Sequence, residues 1–206
     1  MKLLVCGGAG FIGSNFIRHM LAAHSTCTVI NYDKLTYAGN LENLSDVAEK
    51  YGSSLSPRAP SRAEGDSARR QTKARYTFVQ GDIIDLEHLN AVIQEHKITH
   101  VINFAAETHV DRSIHGGAKE FVLTNTLGVQ MILDAVKINK IEKFVNVSTD
   151  EVYGALELDE PREFTESTPI WPNMPYAAAK AGGDLMCNAY FVTHKVPVIV
   201  THCSNN

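Results

Sequence analysis

Short runs rich in β-branched and aromatic residues alternate along this chain with segments of helix length. Lys2–Cys6, Thr28–Tyr32, Tyr76–Gln80, His100–Phe104, Lys143–Ser148 and Val196–His202 are the predicted strands. Between them, Ile12–Ala23, Asn40–Lys50, Leu86–His96, Gly117–Asn139 and Tyr176–Lys195 are predicted helices. Near-continuous apolar strands separated by helices need cover on both faces, which is the pattern of a parallel sheet. The expected class is α/β, a Rossmann-like doubly wound sheet. In the first helix Ile12, Phe16 and Met20, with Ile17 and Leu21 beside them, form an apolar stripe that would lie on that sheet. No internal repeat is present.

With 206 residues, 44% of them hydrophobic, the chain can bury the core of one domain spanning 1–206. Its net charge of −4 excludes bulk attraction to nucleic acid or to an anionic membrane, so an anionic partner must be held by a local site. No apolar run is expected to span a bilayer, and Met1 leads into Lys2-Leu3-Leu4-Val5-Cys6 without a leader pattern. A soluble, cytoplasmic protein is the expectation. Cys6, Cys27, Cys187 and Cys203 lack paired short spacing and are expected to be buried thiols, and the histidines show no metal-ligand spacing. One segment breaks the alternation. Gly52–Arg75 is rich in Ser and Arg with almost no large apolar side chain, and it is expected to be a flexible insertion. A basic arm of Arg58, Arg62, Arg69, Arg70 and Arg75 is the alternative, but Glu64 and Asp66 interrupt it and no aromatic residue interleaves.

Gly7, Gly10 and Gly13 lie between the first strand and the first helix, where a sharp backbone turn lets a pyrophosphate approach the helix N-terminus. Asp33 ends the second strand twenty residues after Gly13. Its carboxylate can accept from a ribose diol and would repel a 2′-phosphate, which favours NAD over NADP, although Lys34 beside it weakens that preference. Asp82, after the third strand, stands where a sheet edge could meet an adenine. A helix N-cap explains it equally well.

Thr149, Asp150 and Glu151 follow directly on the fifth strand, where parallel sheets bind ligands. A hydroxyl, a possible acid and a possible base in consecutive positions suggest proton transfer beyond a simple alcohol oxidation. Tyr176 and Lys180 are four apart on a predicted helix, so an ammonium near a phenol is expected to favour the phenolate. The alternative for Asp150 and Glu151 is a solvated turn, and for Thr149 a strand-end cap. Asp111 and Arg112 are explained as readily by a loop ion pair.

Together, Gly7–Gly13, Asn103-Phe104-Ala105-Ala106-Glu107, Ser148-Thr149 and Tyr176-x-x-x-Lys180 resemble the extended short-chain dehydrogenase/reductase family of nucleotide-sugar enzymes. Asp33–Asn40, Thr108–Ser113, Thr149–Gly154 and Cys203–Asn206 narrow the resemblance to its branch of dehydratases acting on dTDP-glucose. That resemblance implies an NAD-dependent lyase that makes a 4-keto-6-deoxy sugar through transient reduction of its cofactor. Tyr176 would deprotonate the sugar 4-hydroxyl, Lys180 would lower the tyrosine pKa and bind the nicotinamide ribose, and Thr149 would hold the 4-oxygen. Glu151 would remove the C5 proton while Asp150 protonates the departing 6-hydroxyl. Phe11, Ile12, Lys34, Leu35, Thr36, Asp82, Ile83, Ala105, Ala106, Thr124 and Asn206 would join the glycines and Asp33 around NAD. Thr108 and Asn205 would contact the substrate, and a homodimer is expected.

Members of this family continue past Ser204-Asn205-Asn206 into a smaller substrate domain, so most of the substrate grip is expected to be missing from this chain. Ala177-Ala178-Ala179 stands where hydroxyl residues are common in the family, and Thr108 where serine is frequent. Two other functions fit parts of the sequence. A nucleotide-sugar 4-epimerase needs Tyr176, Lys180 and NAD but not the two carboxyl groups, and a non-catalytic NAD-binding module or partner subunit needs none of the catalytic set.

Overall fold

A computed structural model describes residues 1–52, 74–157 and 159–204. The insertion between 53 and 73, with Arg58, Arg62, Arg69 and Arg70, and the terminal Asn205 and Asn206 lie outside the described residues. The described chain runs β1 (Lys2–Cys6), α1 (Phe11–Ala23), β2 (Thr28–Asp33), a 3-10 turn (Leu41–Leu44), α2 (Ser45–Tyr51), β3 (Tyr76–Gln80), α3 (Leu86–His96) and β4 (His100–Asn103). It continues through α4 (Val110–His115), α5 (Lys119–Val122), a π turn (Leu123–Gly128), α6 (Val129–Ile138), β5 (Lys143–Thr149), a 3-10 turn (Asp150–Tyr153), α7 (Pro175–His194) and β6 (Val198–Cys203). All neighbouring strand pairs are parallel and the order is β3-β2-β1-β4-β5-β6, which is the doubly wound Rossmann arrangement.

The strands carry apolar side chains on both faces because helices cover both. On one face Leu4, Ile30, Val101 and Phe144 pack with residues of α3 and α6 such as Leu89, Ile93, Ile132 and Leu133. On the other, Leu3, Val5 and Val29 pack with Ile17 and Leu21 of α1 and Val47 of α2. The α1 stripe is thus shifted from the expected one. Ile17 and Leu21 are buried at its centre, Phe16 and Met20 flank it, and Ile12 is exposed at the helix start.

Three other features differ from the sequence reading. The helix expected over Asn40–Lys50 is divided, because the Asn40 side chain accepts from Glu42 N at 2.9 Å and starts a 3-10 turn before α2. Arg75 is no part of an anion-binding arm. Its guanidinium donates to the carbonyls of Leu21 (2.9 Å) and His24 (2.9 Å), satisfying the end of α1, and lies over the Tyr51 ring. The third concerns Lys119–Ile138, a 20-residue helical run containing an 18-residue window of mean hydropathy 1.3, which is, against expectation, long and apolar enough to cross a bilayer. Part of it is buried in the core against α3 and α7, which explains its composition as a packed helix.

Candidate active site

In this topology the chain leaves β1 toward β2 on one side, while β4 and β5 extend the sheet on the other. The crevice at that switch point opens beyond the C-terminal ends of the strands. A cleft open to solvent occupies it, lined by Gly7, Gly10, Asp33, Lys34, Thr36, Asp82, Ile83, Ala105, Ala106 and Thr124 among the residues the sequence points to. Gly7 has φ +75°, and a Cβ there would lie 2.4 Å from Ala105 N, so the first turn closes tightly on the loop after β4. Gly10 precedes α1, whose start is capped by no described side chain and whose first turn holds no acid. With Phe11 71% exposed there, the orphan N–H groups and the positive end of the helix are open to an anion. The cleft and this helix start together fit a dinucleotide.

Asp33 performs a task the sequence did not reveal. Its two oxygens accept from Ala9 N at 2.9 Å and Leu35 N at 2.8 Å, so it ties the glycine turn to the loop after β2. Leu35 stands in the left-handed region at φ 59°, which this hydrogen bond supports. Lys34 Nζ lies 2.6 Å from Asp82 Oδ2, and that hydrogen bond raises the lysine pKa. Asp82 also accepts from Ile84 N, while the N-cap of α3 is Asp85, so the cap reading belongs to the later acid. Glu107 and Glu120 also line the cleft, and neither was singled out as a site residue. Glu107 was legible only as the end of the Asn103–Glu107 motif. Its backbone is clasped by Asn125, which accepts from Glu107 N and donates to Glu107 O at 2.9 Å each. Arg112 reaches Glu107 Oε2 at 3.7 Å and lies over the Tyr37 ring, so its partner is not the neighbouring Asp111. Thr108 is exposed on this same loop.

Farther along the same edge, β5 ends at Thr149. The Thr149 hydroxyl accepts from Glu151 N at 3.3 Å and so caps the turn Asp150–Tyr153. The cap expectation is met, and the hydroxyl donates to Asp150 Oδ1 at 3.4 Å. Burial first, and then the Asp150 charge, raise the Glu151 carboxyl, whose Oε2 is buried without a hydrogen-bond partner among the described residues. Tyr176 enters at the first turn of α7, where Pro175 presets the helical φ, and its ring is buried edge-on to Phe121. Lys180 is buried one turn later and donates from Nζ to Val147 O at 2.7 Å.

The electrostatics differ from the expectation of a phenolate. Burial, followed by the charge of Glu151, pushes the Tyr176 phenol up to about 12, while the Thr149 hydroxyl opposes this. Burial lowers the Lys180 pKa, with the Asp184 charge the chief opposing influence. The ammonium is committed to a backbone carbonyl, and two carboxyl groups surround the phenol. Thr149, Asp150, Glu151 and Tyr176 thus form one interacting group, and Lys180 anchors the helix beneath it.

A family model described as GDP-mannose 4,6 dehydratase matches residues 4–57 and 55–206. The chain belongs to this family. Within the GDP-mannose 4,6-dehydratase family it is 42% identical over 210 residues to a dTDP-glucose 4,6-dehydratase of Streptomyces niveus, covering 100% of this chain and 54% of that one. The crystal structure of dTDP-glucose 4,6-dehydratase from Bacillus anthracis in complex with NAD is 41% identical with a TM-score of 0.79, covering 100% of this chain and 55% of the other. An NAD-bound dTDP-glucose 4,6-dehydratase from Streptomyces venezuelae is 42% identical with a TM-score of 0.80, covering 98% and 55%. The chain therefore spans about half the length of the relatives it matches.

Proposed function

We propose that residues 1–206 form the NAD-binding, catalytic domain of a nucleotide-sugar 4,6-dehydratase acting on dTDP-glucose. The observation that carries this reading is the group Thr149, Asp150, Glu151 and Tyr176 at the C-terminal edge of the sheet, beside a cleft suited to a dinucleotide. Gly7, Gly10, Phe11, Ile12 and Gly13 would hold the pyrophosphate. Asp33, Lys34, Leu35, Thr36, Asp82 and Ile83 would hold the adenosine end, where two carboxylates against one ammonium disfavour a 2′-phosphate. Ala105, Ala106 and Thr124 would line the path toward Tyr176 and Lys180, with Asn206 beside the cofactor. When bound, NAD supplies hydride acceptance at C4 and hydride return at C6, so the net change is loss of one water.

The residues manage the protons. Tyr176 takes the proton of the 4-hydroxyl while Thr149 holds that oxygen. The resulting 4-ketone acidifies C5, whose proton Glu151 removes; a raised carboxyl pKa makes it a stronger base than an ordinary glutamate. Asp150 gives its proton to the departing 6-hydroxyl, which leaves as water; Glu151 returns its proton to C5 when C6 is reduced, and the proton taken up by Tyr176 balances the one lost by Asp150, exchanged through solvent, so the net change is one water lost. A phenol at about 12 needs a nearby positive charge before it can act as a base, a role that a cationic cofactor held in the cleft would fill. Thr108 and Asn205 complete the substrate contacts by resemblance. Pairing of two copies through the exposed Leu185 and Val192 of α7 is part of the same proposal.

The test compares the chain with D150N/E151Q in the presence of dTDP-glucose and NAD. The dehydratase reading expects a product lighter by one water from the parent and at least ~100-fold less from the double variant. A 4-epimer of unchanged mass, formed equally by both, overturns it.

A further inference from the structure

Behind the catalytic group runs a line of buried polar side chains with no role in the chemistry above. It begins at the cofactor cleft, where Ala105 N donates to Asn103 Oδ1 at 3.0 Å. A backbone N–H can only donate, so the orientation of the Asn103 amide is fixed, and its Nδ2 donates to Asn146 Oδ1 at 3.0 Å. Asn146 is oriented in turn and donates from Nδ2 to Asp184 Oδ1 at 3.2 Å. The other oxygen, Asp184 Oδ2, accepts from Ser148 Oγ at 2.6 Å and faces His202 Nε2 at 3.2 Å. Asp184 is therefore an acceptor throughout, His202 carries a proton on Nε2, and in the neutral ring the remaining Nδ1 accepts from Tyr153 Oη at 2.7 Å.

This direction of hydrogen bonding joins three pieces of the site. Asp184 lies one helical turn after Lys180 on α7, Ser148 immediately precedes Thr149, and Tyr153 ends the short turn that carries Asp150 and Glu151. That turn has few anchors of its own among the described contacts: the Thr149 cap, the bond from Thr149 Oγ1 to Asp150 Oδ1 at 3.4 Å, the bond from Gly154 N to Glu151 O at 3.1 Å and the bond from Trp171 N to Val152 O at 2.9 Å. The Tyr153 ring is further fixed edge-on to His202 and tilted against Phe164. We propose that Asp184, His202 and Tyr153 are positioning residues that hold the Asp150–Glu151 turn at a set place relative to the helix bearing Tyr176 and Lys180, and so govern the elimination of water more than the oxidation at C4. The second half of this statement rests on the dehydratase reading; the first half does not.

The test uses Tyr153→Phe, which deletes one hydroxyl and keeps the ring packing. In the ¹⁵N-labelled 206-residue chain, with His202→Gln identifying the His202 signal among nine histidines, NMR reads the imidazole tautomer and amide hydrogen exchange. The expected result is a proton on Nε2, a shifted Nδ1 resonance in Tyr153→Phe, and at least ~10-fold faster exchange at Glu151 and Gly154 with Ala179 and Lys180 unchanged. A proton on Nδ1, or equal acceleration at both sets of amides, overturns the positioning chain whether or not the protein turns over. Single-turnover assays with dTDP-glucose and NAD then separate the steps. Tyr153→Phe is expected to reduce cofactor at the parent rate but to lose water at least ~10-fold more slowly, and equal slowing of both overturns the selective role. Failure of the parent chain to give reduced cofactor or product counts against the dehydratase reading and against step selectivity together, while the exchange data still decide the positioning chain.

Discussion

Glu151 carries two opposed demands that can be measured separately. Its carboxyl pKa in the folded chain lies above the ordinary 4.5, so between the two values the folded state binds more protons than the unfolded one. Stability linked to this group is therefore fully present below pH 4.5 and is lost as pH rises through the raised folded value. Glu151→Gln is expected to melt higher than the parent near pH 7, with the difference vanishing in thermal scans below about pH 4. The same change should cost roughly 10²–10⁴ in turnover, the ordinary worth of a positioned acid or base. A variant less stable at neutral pH would remove the basis for calling this group a destabilised, functional carboxyl.

Among the secondary-structure elements, α7 must come close to the π turn for Tyr176 and Lys180 to sit under the sheet edge. Gly182 and Gly183 interrupt this helix at an intrinsic cost of about 1 kcal/mol each. A Cβ on Gly183 would lie 2.4 Å from Asn125 O, and one on Gly182 would lie 2.7 Å from Thr126 Oγ1. Gly183→Ala is accordingly expected to destabilise by about 1–3 kcal/mol despite its better helix propensity, read as a lowered denaturation midpoint. Asn125→Ala should cost a similar amount, since it leaves the partly buried N–H and C=O of Glu107 without their Asn125 partner and loosens the loop lining the cleft.

These elements also mark the limit of what the sequence discloses. The strand runs were legible because β-branched stretches punctuated by glycine and polar residues have few other uses, and β3 occupies the expected residues. β6 begins two residues later than expected, at Val198, after Pro197, which has no N–H to give to a ladder. Gly7, Asp33, Thr149–Glu151 and Tyr176 stood out as candidates because each lies at the end of a strand or the opening of a helix in a set register. The Asn125 clasp, the Arg75 cap and the line from Ala105 to Tyr153 were not, because each joins residues remote in sequence. The tyrosine's raised pKa was hidden for the same reason, since its causes are burial and carboxyl groups brought in from another element.

At the scale of the molecule, β6 is an edge strand with Ile199 exposed, and Leu185 and Val192 lie seven residues apart on the exposed side of α7. Apolar side chains at that spacing share a helix face and favour association. Sedimentation of the chain is expected to show a concentration-dependent dimer that L185E/V192E abolishes without lowering the melting temperature by more than a few degrees; a monomer at every concentration would refute the pairing. The central claim concerns the chemistry at the end of β5. Its most direct test is mass spectrometry of dTDP-glucose after incubation with the 206-residue chain and NAD, beside a Tyr176→Phe control. The account predicts a product lighter by one water with the parent and none above background with the variant. Unchanged substrate mass with a chain that binds NAD would contradict it.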